Sequence, residues 1–458
     1  MRPPRALWII LLTSLALKLS LLGVAQDVPN FADERQYIAA ALTIADDGVP
    51  TYSNPQWDEA HYPPSYPYLM GAVCLVFGPT GLSITIRVLQ ILMSTATVWL
   101  VFLLAERLFE RRSALLSAGV WAFFPTAICY THLFLAETLH AALVVSVAVL
   151  LLPGNGNLNG KRALAAGIVA GLASLTRSIF LPQSLLIGAW IALWGTVNRK
   201  DRRRRLQLCA VFLGGLITVI LPWSIRNTLR YERFLLIDTG AANVLHLNWN
   251  MTEPWNQDIG LMGRYQRQSK EAKALGIQRR RRFVPEDPAD IVALHQGEIR
   301  LALDWLKHHP RLFARHSIQR AAEFLNPTSM LIHRLRRGDY GDPPGILEET
   351  LVLSVLISTM ALIVLGLAGM SLASVRSEHA LVAILFLSTL VSGALLMAIT
   401  RYRFPSMPLL IPFAAHVACN WRTLPGPRQA PFRWGIATVN SLLVLWIFVI
   451  YVPYNYPG

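Results

Sequence analysis

Residues Leu82–Ala105 read LSITIRVLQILMSTATVWLVFLLA, with Arg87 the one charge in the run. Inside a bilayer the backbone must satisfy its own N–H and C=O groups, and a helix of about 17–25 apolar residues does so while crossing it. The run is therefore read as a membrane-spanning helix. Comparable runs recur at Ala6–Ala25, Leu139–Leu152, Leu206–Trp223, Thr350–Met370, Ala380–Thr400 and Gly435–Val452. Composition agrees: 53% of the 458 residues are hydrophobic and 15% are charged, with a mean hydropathy of +0.41. Soluble domains carry about 25% charged residues. A single soluble enzyme, a disordered chain and a disulfide scaffold are excluded. The expected fold is an all-α polytopic membrane protein of about 11 transmembrane helices. The candidate spans are 6–25, 82–105, 113–130, 134–152, 163–180, 183–197, 206–224, 350–370, 380–400, 405–420 and 434–452.

The net charge of +15 first points to nucleic acid, but its distribution points elsewhere. With the N-terminus inside, the short inner segments hold seventeen basic residues: Arg2, Arg5, Arg107, Arg111, Arg112, Lys161, Arg162, Arg199, Lys200, Arg202 to Arg205, Arg376, Arg422, Arg428 and Arg433. The short outer turns hold Arg401 and Arg403. The positive-inside rule then sets the orientation, and no nucleic-acid partner is expected. Two outer segments are long. Residues 26–81 carry seven acidic residues and a single basic one, Arg35. Residues 225–349 form a mostly helical outer loop, or cap, with 19 Lys and Arg. The organisation expected is an N-terminal transmembrane catalytic module (1–224), this cap (225–349) and C-terminal helices (350–458). Arg2, Arg5 and Gly23-Val24-Ala25 also fit a cleaved signal peptide, but Lys18 and the length of the stretch favour a retained span. Cys74, Cys129, Cys209 and Cys419 form no C-x-x-C and read as small apolar residues.

The acidic first loop carries the candidate chemistry. Asp33-Glu34-Arg35-Gln36-Tyr37 opens a short interfacial helix with Asp33 as N-cap, closed by Asp46-Asp47-Gly48. The aromatic segment His61-Tyr62-Pro63-Pro64-Ser65-Tyr66-Pro67-Tyr68 leads to a second interfacial helix near 68–78, closed by Gly78-Pro79. Across a short outer turn stands Glu137, the one acidic residue between Glu110 and Asp201. A carboxylate there is either a helix cap or a functional group. Two on one membrane face suit a general base and its partner.

The ordered set of motifs resembles the membrane-embedded GT-C-fold glycosyltransferases of the protein O-mannosyltransferase and lipid A aminoarabinose transferase type. It comprises Asp33-Glu34 with Tyr37 and Ala41, then Pro63-Pro64-x-Tyr66-Pro67, Arg87, Glu137, Gly171 to Arg177, Leu221 to Asn227, and Arg401 to Pro408. The likeness covers residues 1–235 and 395–420 and leaves out the long outer loop. It implies transfer of a sugar from a polyprenyl-phosphate carrier to an acceptor (lipid, glycan or protein) on the outer face, with inversion. By position, Asp33 is the general base and Glu137 the second acid. Arg87, Arg177, Arg401 and Arg403 are donor-phosphate candidates, because a guanidinium fork binds phosphate bidentately. Glu34, Tyr37, His61 and Tyr66 are substrate-contact candidates. Aminoarabinose transferases carry Glu-Lys before Pro-Pro, whereas this chain has His61-Tyr62, which argues against that donor. His61 with Glu59 or His246 is a candidate metal pair, set against a hydrogen-bonding histidine; a divalent metal is otherwise left open.

His246 and Asn250, beside Trp249, are sugar-contact candidates with loop packing as the alternative. The tract Arg279 to Arg282 reads as a solvated or headgroup-facing surface. The chain shows neither a Walker motif nor a paired Asp-x-Asp, consistent with a lipid-linked donor. Arg-rich usage points to a bacterial inner membrane with the site on the periplasmic face. The rival readings are a transporter or lipid flippase, which would place charges at mid-membrane in several spans, and a membrane scaffold indifferent to loss of Asp33 and Glu137.

Overall fold

The structure is a computed structural model. It describes residues 3–26, 32–54, 57–154, 157–194, 201–240, 288–341, 344–374, 376–396, 399–424, 426 and 428–447. Among them the chain is helical, and the one backbone bridge outside helices joins Asp339 to Gly341. In chain order the helices are α1 (Arg5–Ser20), α2 (Leu22–Gln26), α3 (Ala32–Asp47), α4 (Ser65–Leu108), α5 (Arg111–Phe123), α6 (Pro125–Tyr130), α7 (Glu137–Leu151), α8 (Gly160–Thr176), α9 (Phe180–Leu193) and α10 (Arg202–Tyr231). After residues 241–287 come α11 (Pro288–His308), α12 (Pro310–Leu325), α13 (Met330–Arg336), α14 (Gly345–Leu372), α15 (Ser377–Leu395), α16 (Thr400–Arg403), α17 (Met407–Asn420) and α18 (Pro431–Trp446).

Every candidate span overlaps a helix, and the punctuation residues set where several of them end. α4 is broken at Gly78, whose φ of 72° and ψ of 170° are non-helical. Glycine tolerates that φ, and Pro79 has no N–H to continue the ladder. The result is the expected interfacial helix followed by the long span. α3 closes on Gly48, at φ 75°, which donates its N–H to Ile44 O at 3.0 Å. Two expectations are corrected. The span 113–130 divides at Phe124 because Pro125 turns the residue before it out of helical geometry, to ψ 115°. Asp33 is not an N-cap: α3 begins at Ala32, and Asp33 lies inside its first turn.

By length and hydropathy, five helical stretches among the described residues suffice to cross a membrane: Arg5–Val24, α4, α10, α14 and α15. α7 and α9 are shorter and apolar. Their outer faces present Ile9, Leu12, Leu75, Val76, Leu185, Ile217, Leu353 and Ile357. Such faces suit lipid tails, and each helix turns its remaining side inward. The inner faces form one continuous apolar core that runs from α1 through α4–α10 to α14, α15 and α17. The tightest crossing is α8 on α10. A Cβ at Gly167 would stand 2.0 Å from Phe212 O, and one at Gly215 would stand 2.7 Å from Leu164 O. Only glycine permits that backbone approach. The crossing places the end of α8, and so Arg177, beside α7.

Candidate active site

Four elements far apart in sequence bring their charged residues together. The first turn of α3 supplies Asp33 and Glu34, and the first turn of α7 supplies Glu137. Carboxylates are favoured at helix N-termini by the unpaired N–H groups there. Arg177 caps the C-terminal end of α8 with extended geometry (φ −148°, ψ 113°), the end where a cation is favoured. Arg401 comes from α16, a single turn between two spans.

Arg401 joins the two carboxylates. Its Nη2 donates to Asp33 Oδ2 at 2.5 Å, and its Nε lies 2.9 Å from Glu137 Oε1. Arg177 Nη2 donates to the same Glu137 oxygen at 2.5 Å. Tyr62 donates its hydroxyl to Asp33 Oδ1 at 3.0 Å. Tyr402 offers its ring to both cations, 4.6 Å from the Arg177 guanidinium carbon and 5.4 Å from that of Arg401. Glu137 is wholly buried, whereas the Asp33 side chain keeps 22% of its surface open. Glu137 Oε2, Arg177 Nε and Arg401 Nε, all buried, make no hydrogen bond. One acceptor, Glu137 Oε2, and one guanidinium donor, Arg177 Nε, thus remain uncommitted beside a partly open carboxylate, while Arg401 Nε is engaged by the Glu137 ion pair. Burial pushes the Asp33 carboxyl up, but the charge and hydrogen bond of Arg401, with Tyr62 and the Arg177 charge, outweigh it. They hold Asp33 below the ordinary carboxylate range.

The other sequence-selected residues are placed differently. Glu34 is buried, accepts from Phe134 N at 3.0 Å, and pairs with buried Arg334 of α13. Tyr37 packs between Tyr62 and Tyr66, with ring centroids at 4.8 and 5.0 Å. The Tyr66 hydroxyl lies 3.5 Å from Gln90 Oε1. Arg87 donates to His132 O at 3.1 Å and Ser83 Oγ at 2.5 Å and lies over the Phe134 ring. Arg403 donates to Phe324 O at 2.5 Å and Asn326 O at 2.7 Å. These two arginines stand outside the Asp33–Glu137 network, with their donors on carbonyls and a hydroxyl. His61 stacks on Trp57 at 4.2 Å, while Glu59 is held by Arg226 and Arg230 at 2.6 and 2.7 Å. His246, Asn250 and Arg279 to Arg282 lie outside the described residues. Three partners were not singled out as site residues from sequence: Tyr62, Tyr402 and Arg334. The first two sit inside quoted motifs, next to chosen residues. Arg334 carries no local signal within a basic loop.

Residues 61–225 match the family model described as dolichyl-phosphate-mannose-protein mannosyltransferase. No curated protein matches the chain in sequence. Among solved structures, archaeal oligosaccharyltransferase AglB from Archaeoglobus fulgidus, in complex with an inhibitory peptide and a dolichol-phosphate, aligns with a TM-score of 0.51 at 16% identity. The alignment covers 98% of this chain and 55% of that one. The Archaeoglobus fulgidus oligosaccharyltransferase in complex with Zn and sulfate aligns at 0.50 and 15% identity, over 95% of this chain and 52% of that one. ArnT from Cupriavidus metallidurans, bound to undecaprenyl phosphate, aligns at 0.43 and 14% identity, over 97% and 90%. The chain spans about half the length of the oligosaccharyltransferases it matches.

One of those solved structures holds zinc. Among the described residues no three His, Cys, Asp or Glu side chains gather as a metal-ligand set. The Arg401 guanidinium already lies between Asp33 and Glu137, where a divalent cation would bridge them. Among the described residues, the side chains around Asp33 and Glu137 do not fit a divalent metal. What the described helices do share with the solved proteins is architecture: the chain has the all-α, polytopic fold of the GT-C membrane glycosyltransferases.

Proposed function

We propose that the protein is an integral-membrane, inverting glycosyltransferase that moves a sugar from a polyprenyl-phosphate carrier to a hydroxyl-bearing acceptor. The observation that carries this reading is the network Asp33–Arg401–Glu137–Arg177, two carboxylates bridged by two arginines, with Arg177 Nε uncommitted and the Asp33 carboxylate partly open. The family model over residues 61–225 supports the same donor class. A transporter would need ionisable groups within several spans; here they converge at helix ends.

The chemistry follows from the arrangement. The donor phosphate engages Arg401 and Arg177, whose forks suit phosphate oxygens. As Arg401 turns to the phosphate, it loosens its hold on Asp33, and the carboxylate becomes a stronger base. Asp33 takes the acceptor hydroxyl proton as that oxygen attacks the anomeric carbon. The bond from that carbon to the phosphate oxygen breaks, and polyprenyl phosphate leaves with the electron pair. One displacement inverts the anomeric centre. Glu137, anchored by Arg177, keeps the guanidinium pair in place. Arg87 and Arg403 support the scaffold and do not hold the phosphate. Residues 1–224 carry both catalytic carboxylates, and residues 350–458 contribute Arg401. The positive-inside charge pattern supports a site on the outer, periplasmic face, and the Arg-rich usage supports a bacterial inner membrane.

The test incubates purified protein with a panel of polyprenyl-phosphate sugars and detects released lipid phosphate. Asp33→Asn is expected to lower transfer by about 10²–10⁴-fold, the usual contribution of a general base, with membrane insertion intact. Full activity in that variant overturns the assignment of the base.

A further inference from the structure

At the far end of the bundle from Asp33 lies a cavity of about 500 Å³, within the size range of ligand pockets. α17 starts beside the site, just after Arg401, and its 14 residues carry the chain about 20 Å to Asn420 on the cavity wall. α4 likewise begins just after Tyr62 and ends at Leu108 on that wall. Three arginines line the cavity: Arg107 at the end of α4, Arg376 at the start of α15 and Arg433 in the first turn of α18. All three belong to segments that the charge distribution assigns to the inner face. Arg107 gives Nη1 to Val149 O. Among the described residues, the guanidinium groups of Arg376 and Arg433 make no hydrogen bond or ion pair.

The acidic residue on the wall does not answer them. Glu110 accepts from Ser113 and Asn420 and lies 3.2 Å from His416 Nδ1. The wall is also braced. The Phe109 ring stacks between His416 at 4.2 Å and His379 at 5.0 Å, and His379 Nδ1 is 2.6 Å from Ser374 O. A preformed, basic, half-polar cavity at the inner boundary suits an anionic group with several acceptor oxygens.

We propose that this cavity is a second, inner-face binding site for a phosphate group, carried by an anionic lipid headgroup or free in solution. Arg376 and Arg433 supply the charge-assisted hydrogen bonds. Their neighbours Arg422 and Arg428 do not line the cavity and act only as orientation signals. The site is independent of sugar transfer, so its test needs no donor.

Delipidated full-length protein in detergent is titrated with phosphatidylglycerol, and separately with inorganic phosphate, and adducts are counted by native mass spectrometry. The paired substitution Arg376→Gln with Arg433→Gln is expected to weaken binding by about tenfold or more, the scale of losing two charged contacts. Arg422→Gln with Arg428→Gln is expected to stay within about twofold, as for surface charges. Saturation by the lipid alone assigns a headgroup; competition by inorganic phosphate assigns the free ion. Equal weakening in both paired variants overturns the proposal, as does wild-type binding in the first pair or no binding of either probe. If the first pair does not fold, Arg433→Gln alone gives the same reading.

Discussion

Asp33 and Arg401 form the pair on which the proposed chemistry turns. A carboxylate held below its ordinary value of 3.8 is a weak base, and it strengthens when its cation moves away. Arg401→Gln removes that cation, so the Asp33 pKa rises. Less Asp33 is then deprotonated at low pH, and the acid limb of kcat/KM moves to higher pH. KM for the donor rises in the same variant, because a phosphate contact is lost. A pH–rate profile with a polyprenyl-phosphate sugar checks both; an unmoved acid limb removes Arg401 from the network. Stability carries a matching sign. The folded pKa is depressed, so the Asp33 contribution is fully present above the unfolded value and is lost as pH falls through the folded one. Asp33→Asn should therefore flatten the fall in melting temperature below about pH 4. At this scale the sequence named Asp33, Glu137, Arg177 and Arg401. It could not separate Arg401 from Arg403, two residues apart in one basic turn. The difference is direction: Arg403 reaches the carbonyls of Phe324 and Asn326, and Arg401 reaches the carboxylates.

At the scale of elements, the crossing of α8 on α10 sets where Arg177 stands. Gly167 and Gly171 lie four apart on one helix and meet the backbone and Val219 of the other, while Gly215 answers from α10. Gly167→Leu would drive a side chain into the Phe212 carbonyl. Overpacking of this kind costs about 1–3 kcal/mol, and more where backbone blocks the space. The variant should melt lower in detergent and lose transfer activity along with it. Gly214→Leu, at a position with open space around it, should do neither. Retained melting in the Gly167 variant would mean that the two helices do not cross there. The break at Gly78-Pro79 was legible because its cause is local: a φ and a missing N–H. The facing of Gly167 and Gly215 was not, because which sides of two apolar helices meet depends on every other helix around them.

At the scale of the molecule, the buried pair Glu34–Arg334 ties the first outer loop to α13, 300 residues away. Removing one partner leaves an uncompensated buried charge, a loss of about 3–5 kcal/mol. Arg334→Met should lower the melting temperature and expose residues 288–341 to limited proteolysis. Adding Glu34→Gln should recover part of the loss, because the orphaned charge goes with it. Failure of the second substitution to recover any stability would show that the two side chains are not coupled. This tie also explains why Glu34 and Asp33, adjacent in sequence, have different roles. On a helix, neighbours point about 100° apart, so one carboxylate faces α13 and the other faces α16. By itself the sequence determined the helical spans and the break at Gly78-Pro79, because hydropathy, proline and glycine act over a few residues. Only the tertiary structure decided which arginines join the two carboxylates and which brace the scaffold. It also decided that Arg107, Arg376 and Arg433, far apart in sequence, border one cavity. A guanidinium's partner is set by the packing of distant helices, and no local pattern records that.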